Sequence, residues 1–182
     1  MKVFRDTMNV TSPYTNNGNP AKSRPWYNLG THLVEASNAA EAIPALMQAV
    51  NIDPEHAEAW HNLGRAYLMH GQYRQAIYPL RQSVKLAPEL DNAVVNLSIA
   101  LIYTNQPREA VLLLEKVRHK SPNLAYLRYN LGVAYLGIGN FADAKLELAA
   151  LKGIAPDMAT ALAAEINRTF QLQQSFILPS RQ

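Results

Sequence analysis

The sequence predicts an all-α solenoid, a stack of four tandem helix–turn–helix repeats of 34 residues closed by a further helix at its C-terminal end. Three observations carry this. Pro54, Pro88, Pro122 and Pro156 recur at a constant step of 34 residues. The same step takes Leu29 to Leu63, Leu97 and Leu131, and Ala42 to Ala76, Ala110 and Ala144. Apolar residues within a unit follow helical spacing, as Trp26, Leu29 and Leu33 do at i, i+3 and i+7.

Taken in order, residues 1–22 are rich in Asn and Thr, with Pro13, Gly18 and Pro20, and read as an irregular segment. The repeats run 23–56, 57–90, 91–124 and 125–158. Their second helices are expected to begin near Asn38, Gly71, Asn105 and Asn140. Asn38 with Glu41, and Asn140 with Asp143, set an amide at the N-cap and a carboxylate in the first turn, where the helix dipole favours it. The prolines at the repeat step then end each second helix, since proline lacks the N–H that the next turn needs. Pro44 and Pro79 fall inside second helices and predict a kink or a late helix start. Residues 159–182 read as a capping helix and tail, because the stretch from Asp157 to Gln171 puts Met158, Leu162 and Ile166 on one face. The segment Gln171 to Pro179 leaves that helix with an apolar cluster, available to dock on the array's flank or on another molecule.

Composition narrows the function. A hydrophobic content of 48% in 182 residues is enough to bury a core. The balance of 17 Lys+Arg against 14 Asp+Glu is spread without a basic stripe, so nucleic acid is not an expected partner. The absence of cysteine excludes disulfides, thiolate zinc sites and a cysteine nucleophile. The histidines show no i, i+4 pair and no HExxH motif, and neither a phosphate-binding glycine loop nor a nucleophile elbow occurs. No catalytic residue, metal or cofactor is therefore assigned, and the chain is not expected to be an enzyme. The Asn-x-Ser/Thr matches at Asn9, Asn96 and Asn167 read as coincidental. No apolar run reaches the roughly 18 residues of a membrane span, and Met1 to Asn16 lacks the apolar core of a secretory signal. The chain reads as soluble without direct membrane insertion and cytoplasmic by default, with an exported or membrane-tethered domain left open.

The repeat resembles the tetratricopeptide family, whose pattern sets Trp, Leu-Gly, Tyr, Ala, a large apolar residue and Pro at fixed offsets. The second unit matches throughout, with Trp60, Leu63, Gly64, Tyr67, Ala76, Leu80 and Pro88. The first keeps Trp26, Leu29, Gly30, Ala42, Leu46, Ala49 and Pro54, with Leu33 in place of Tyr. In the third and fourth the leading aromatic becomes Val94 and Arg128, and Ser98 replaces one glycine. The resemblance covers residues 23–158. It implies a right-handed superhelix in which Gly30, Gly64, Ser98 and Gly132 let the two helices of a repeat approach closely, while the first helices line a concave groove.

Groove positions follow by register. Asn28, Asn62, Asn96 and Asn130 recur at the repeat step. A side-chain amide offers donors and acceptors that match a peptide unit, and similar ladders in this family grip an extended ligand. Leu68, Met69, Val95, Ile99, Ile102, Tyr103, Tyr126, Tyr129, Val133 and Leu136 make the surrounding lining apolar, beyond what a soluble monomer usually exposes. Tyr27, Thr31, His61 and Arg65 make the first two repeats' share more polar. The expected function is a scaffold or adaptor that binds a protein or peptide segment, extended or apolar, with a homo-oligomer or the chain's own tail as other occupants. Of the residues that clamp a terminal carboxylate in some members, only Asn62 fits; Tyr27, Thr31, Asn92 and Asn96 stand where others are needed. A second reading comes from Val3 to Thr7 with Lys22 to Pro25, which resembles the juncture joining such arrays to membrane proteins similar to O-mannosyltransferases. On that reading the chain is a soluble accessory domain of a membrane-bound glycosyltransferase-like protein.

Overall fold

Nine α-helices and no strand follow one another among the described residues of the computed structural model, 19–121 and 124–177. They pair as α1 (Pro20–Glu35) with α2 (Ala39–Ile52), α3 (Ala57–Met69) with α4 (Tyr73–Leu86), α5 (Asp91–Tyr103) with α6 (Pro107–Arg118) and α7 (Ala125–Gly137) with α8 (Phe141–Lys152). The last, α9, spans Pro156–Ile177. The expectations for residues 1–18, for Pro122 and for the chain after Ile177 fall outside the described residues. Helix α1 begins inside the stretch read as irregular, because the Asn19 side chain accepts the Lys22 N–H at 3.3 Å and Pro20 sits where the helix needs no donor.

Each first helix stops by the same device. Ser37, Gly71, Asn105 and Gly139, one repeat apart, adopt φ of 60°, 73°, 61° and 77°. The residue after each donates its N–H to a carbonyl five positions back, Asn38 to Leu33, Gln72 to Tyr67, Gln106 to Leu101 and Asn140 to Tyr135, all at 2.8 Å. The left-handed residue's own N–H returns to the carbonyl three back at 3.0–3.1 Å, completing a Schellman turn. Gly71 and Asn105 thus belong to the turn, and α4 and α6 start two residues after them. Asn38 and Asn140 do cap, accepting the N–H of Glu41 at 3.4 Å and of Asp143 at 3.2 Å. Ser37 alone combines a left-handed backbone with neither glycine's freedom nor asparagine's tolerance. Ser37→Gly is expected to stabilise the fold by about 1 kcal/mol in urea unfolding; a loss of stability would mean that the turn carries no strain.

Helices α2 and α4 begin five and six residues before Pro44 and Pro79, so the late start is not realised. Each proline sits inside its helix and leaves the carbonyl four residues back without its helical donor.

Packing separates the helices into two rows. The backbone of each odd-numbered helix closely approaches that of the next odd-numbered one, whereas even-numbered helices do so only with their neighbours in sequence and reach each other through long side chains, Arg81 to Glu109 at 2.8 Å and Arg118 to Glu147 at 3.0 Å. The odd helices therefore form the inner, concave row of a right-handed solenoid and the even helices its outer side. Ala42, Ala76, Ala110 and Ala144 are fully buried where the rows meet. A Cβ on Gly30 would stand 2.4 Å from Leu46 Cγ, and one on Gly64 2.3 Å from Leu80 Cγ. In the fourth repeat the corresponding space over Gly132 is filled by Leu162 of α9, 2.5 Å from such a Cβ. Helix α9 packs on α7 and α8 through buried Ala159, Leu162 and Ile166, so it closes the stack and also extends the inner row.

Two departures from the repeat pattern have structural partners. Arg128, in the leading aromatic's place, bonds Glu147 at 2.8 Å. Glu147 is only 2% exposed, at the register held by Ala45, Pro79 and Leu113 in the other repeats. It also meets Arg118 at 3.0 Å; Arg118 reaches Glu115 at 2.8 Å, and the Tyr135 hydroxyl donates to Glu115. Burial, then this carboxylate, push the Tyr135 phenol well up. At the opposite end, Leu29 is 47% exposed while Leu63, Leu97 and Leu131 are 4% or less, because no preceding second helix among the described residues covers α1.

Candidate interaction groove

The inner row brings the amide register onto one wall, and close packing of the first helices decides what those amides do. Asn28 is exposed. Asn62 is buried and its Nδ2 donates to Thr31 Oγ1 on α1 at 3.0 Å. Asn96 is half-buried, with Nδ2 2.8 Å from His61 Nε2 on α3. Burial first, and then Arg65, lower the His61 pKa against the opposing pull of Glu58. Accepting the Asn96 Nδ2–H at Nε2 requires the neutral ring with its proton on Nδ1, the form that the lowered pKa favours. The two middle amides thus tie each first helix to the one before it. Neither amide stands free in the groove for a ligand, because a side chain at this register reaches the neighbouring helix first.

Beyond Asn96 the wall opens into a concavity of about 690 Å³ between α5, α7 and α9. Ile99, Tyr103, Tyr126, Tyr129, Asn130 and Val133, all placed in the groove by register, line it together with Ile102. Tyr103 and Tyr126 are 65% and 63% exposed. Tyr103 is braced from behind by Tyr73, whose ring stacks on it at 4.2 Å and 6°. Tyr129 is half-buried, and burial, followed by Glu165 and Tyr103, raises its phenol pKa.

The remaining expected groove residues lie elsewhere. Val95 is 5% and Leu136 7% exposed, both in the core with Leu114, Leu127 and Leu131, since they face the helix packed against them rather than the groove. Tyr27 is half-buried against the His56 ring at 4.5 Å. Met69 and Arg65 are exposed on α3, outside the concavity. The far wall is Asp157, Met158, Ala161, Glu165 and Arg168 of α9, of which the reading of α9 as a cap singled out only Met158, as a packing residue. Their spacing of i, i+1, i+4, i+8 and i+11 marks one helical face, and that was the available signal.

Family models of the tetratricopeptide repeat match residues 23–89 and 101–166, together most of the chain. The chain belongs to the tetratricopeptide repeat family. No curated protein sequence matches it. Solved tetratricopeptide structures similar to it include a crystal structure of MamA, 25% identical over 73% of each chain with a TM-score of 0.67. Another is MamA residues 41 to the end from Desulfovibrio magneticus RS-1, 20% identical over 85% of this chain and 96% of that one, TM-score 0.68. YrrB, described as a TPR protein with an unusual peptide-binding site, is 18% identical over 84% and 87%, TM-score 0.65. The second tetratricopeptide match runs on to Ile166, inside α9, in keeping with that helix continuing the inner row. No helix among the described residues is long and apolar enough to cross a membrane.

Proposed function

We propose that this tetratricopeptide protein is a non-catalytic scaffold or adaptor that holds an extended or apolar polypeptide segment at the tyrosine-lined end of its concave groove. The observation that carries this is the pair Tyr103 and Tyr126, two large aromatic side chains left mostly exposed on the wall of a concavity whose other walls are Ile99, Val133 and Met158. Aromatic anchors in a concave, largely apolar site are what a bound segment buries most profitably. A fold shared with YrrB is consistent with this use. Asn62 and Asn96 already bond the preceding helix, so their replacement would lower stability as well as any contact with a ligand. The tyrosines are the cleaner probes.

Panning a random peptide library on the full chain, followed by calorimetry of the isolates, provides the test. Tyr126→Ala is expected to weaken binding at least about tenfold, since losing the burial of a large apolar side chain costs about 1.5–3 kcal/mol. Leu112→Ser, at an equally exposed apolar residue on the outer helix α6, is expected to leave affinity unchanged. The reverse pattern would move the binding surface to the convex side.

A further inference from the structure

The C-terminal concavity differs in charge from the rest of the chain. Overall the protein carries +3, yet this site has two carboxylates, Asp157 and Glu165, against the single guanidinium of Arg168. Arg168 stands 3.9 Å from Glu165, at the outer limit of an ion pair, and its side chain is 74% exposed. Such a pair contributes little and leaves most of the Glu165 field directed at whatever enters the concavity. Glu165 also faces the tyrosines, because it is one of the groups that raise the Tyr129 phenol pKa. The concavity thus combines three tyrosine rings, apolar side chains below them and carboxylates on the facing helix.

An apolar ligand side chain would use the tyrosines and leave Asp157 unmatched and Glu165 with only its long contact to Arg168. A long cationic side chain uses both kinds of group. Its aliphatic stem lies on Ile99, Val133 and Met158, its charged head meets the π-faces of the tyrosines, and Glu165 supplies the paired counter-charge while Asp157, about two turns away on α9, adds to the negative field. A planar guanidinium stacks on aromatic rings and pairs with a carboxylate in two-pronged fashion, which an ammonium cannot do. We propose that the tyrosine-lined end of the groove is a cage for an arginine side chain of the bound segment, with lysine a weaker occupant. The proposal rests on the groove reading above and names the chemistry that the groove selects.

The test uses the full chain, labelled with ¹⁵N, titrated with N-acetylarginine amide, N-acetylcitrulline amide and N-acetylleucine amide and followed by amide shifts in α5, α7 and α9. Citrulline keeps the shape of arginine and removes its charge. Arginine is expected to perturb the lining residues and to bind at least about fivefold more tightly than citrulline or leucine, a margin within the range of a cation–π contact supported by a carboxylate. Glu165→Gln, at a partly exposed position, is expected to erase that preference while leaving the helical spectrum unchanged. Leucine binding as tightly as arginine, or no perturbation of the lining by any of the three, would overturn the cage. The groove reading stands or falls separately, on whether library peptides of any composition lose affinity with Tyr126→Ala.

Discussion

Gly64→Ala is expected to lower the stability of the fold by about 1–2 kcal/mol net, although alanine is the better helix former by about 1 kcal/mol. The added Cβ would stand 2.3 Å from Leu80 Cγ. That atom is the branch point of a fully buried side chain, one bond from its own Cβ, so it cannot swing aside as the tip of a long side chain would. The helices of the second repeat must move apart, and overpacking in a close-packed core usually costs 1–3 kcal/mol or more. Urea unfolding of Gly64→Ala, of Leu80→Ala and of the double variant separates the causes. The double variant should be less destabilised than the sum of the singles, because Leu80→Ala removes the atoms that the added methyl strikes and that methyl partly fills the cavity Leu80→Ala leaves. A Gly64→Ala protein as stable as the parent would show that α3 and α4 have slack at their crossing.

Glu147→Ala is expected to cost about 3 kcal/mol, because it removes the buried carboxylate on which Arg118 and Arg128 converge. The figure is at the lower end for a broken buried ion pair, since Arg118 is one-third exposed and keeps Glu115. The third repeat has Val94 and Leu113 at the corresponding positions. Arg128→Val combined with Glu147→Leu is therefore expected to restore most of the lost stability, as well-packed apolar replacements of buried ion pairs commonly do. Thermal and urea unfolding of the single and double variants measure this directly. A double variant as unstable as Glu147→Ala would mean that the charges hold the third and fourth repeats together better than packing can.

The parts of this structure legible in the sequence are those that depend on periodicity. Gly30 under Leu46 and Gly64 under Leu80 follow from small and large residues recurring at one step, and the caps at Asn38 and Asn140 follow from short-range chemistry. The role of Asn62 was not legible, because an amide has the same donors and acceptors whether it meets a ligand or Thr31. Glu147 reads as a surface residue when taken alone; its burial makes sense only beside Arg128, nineteen positions away in sequence and on another helix. Half of the candidate groove was hidden for a similar reason. Apart from Met158, the residues of α9 that line it look like the solvent side of a cap until the odd-numbered helices are seen to form one row.

The separation of the even-numbered helices has a mechanical consequence. With backbone contacts along the inner row and only long side-chain ion pairs between successive outer helices, α4 to α6 and α6 to α8, the array is an elastic strip with one stiff edge and one more compliant edge. A small rotation at each inner contact changes the curvature while stretching little more than those outer ion pairs, and because neighbouring units interact only pairwise such rotations accumulate along the stack. A segment wedged between α5, α7 and α9 would load this spring at its C-terminal end. Softening the inner contacts would then alter how tightly a ligand is gripped, even at residues the ligand never touches.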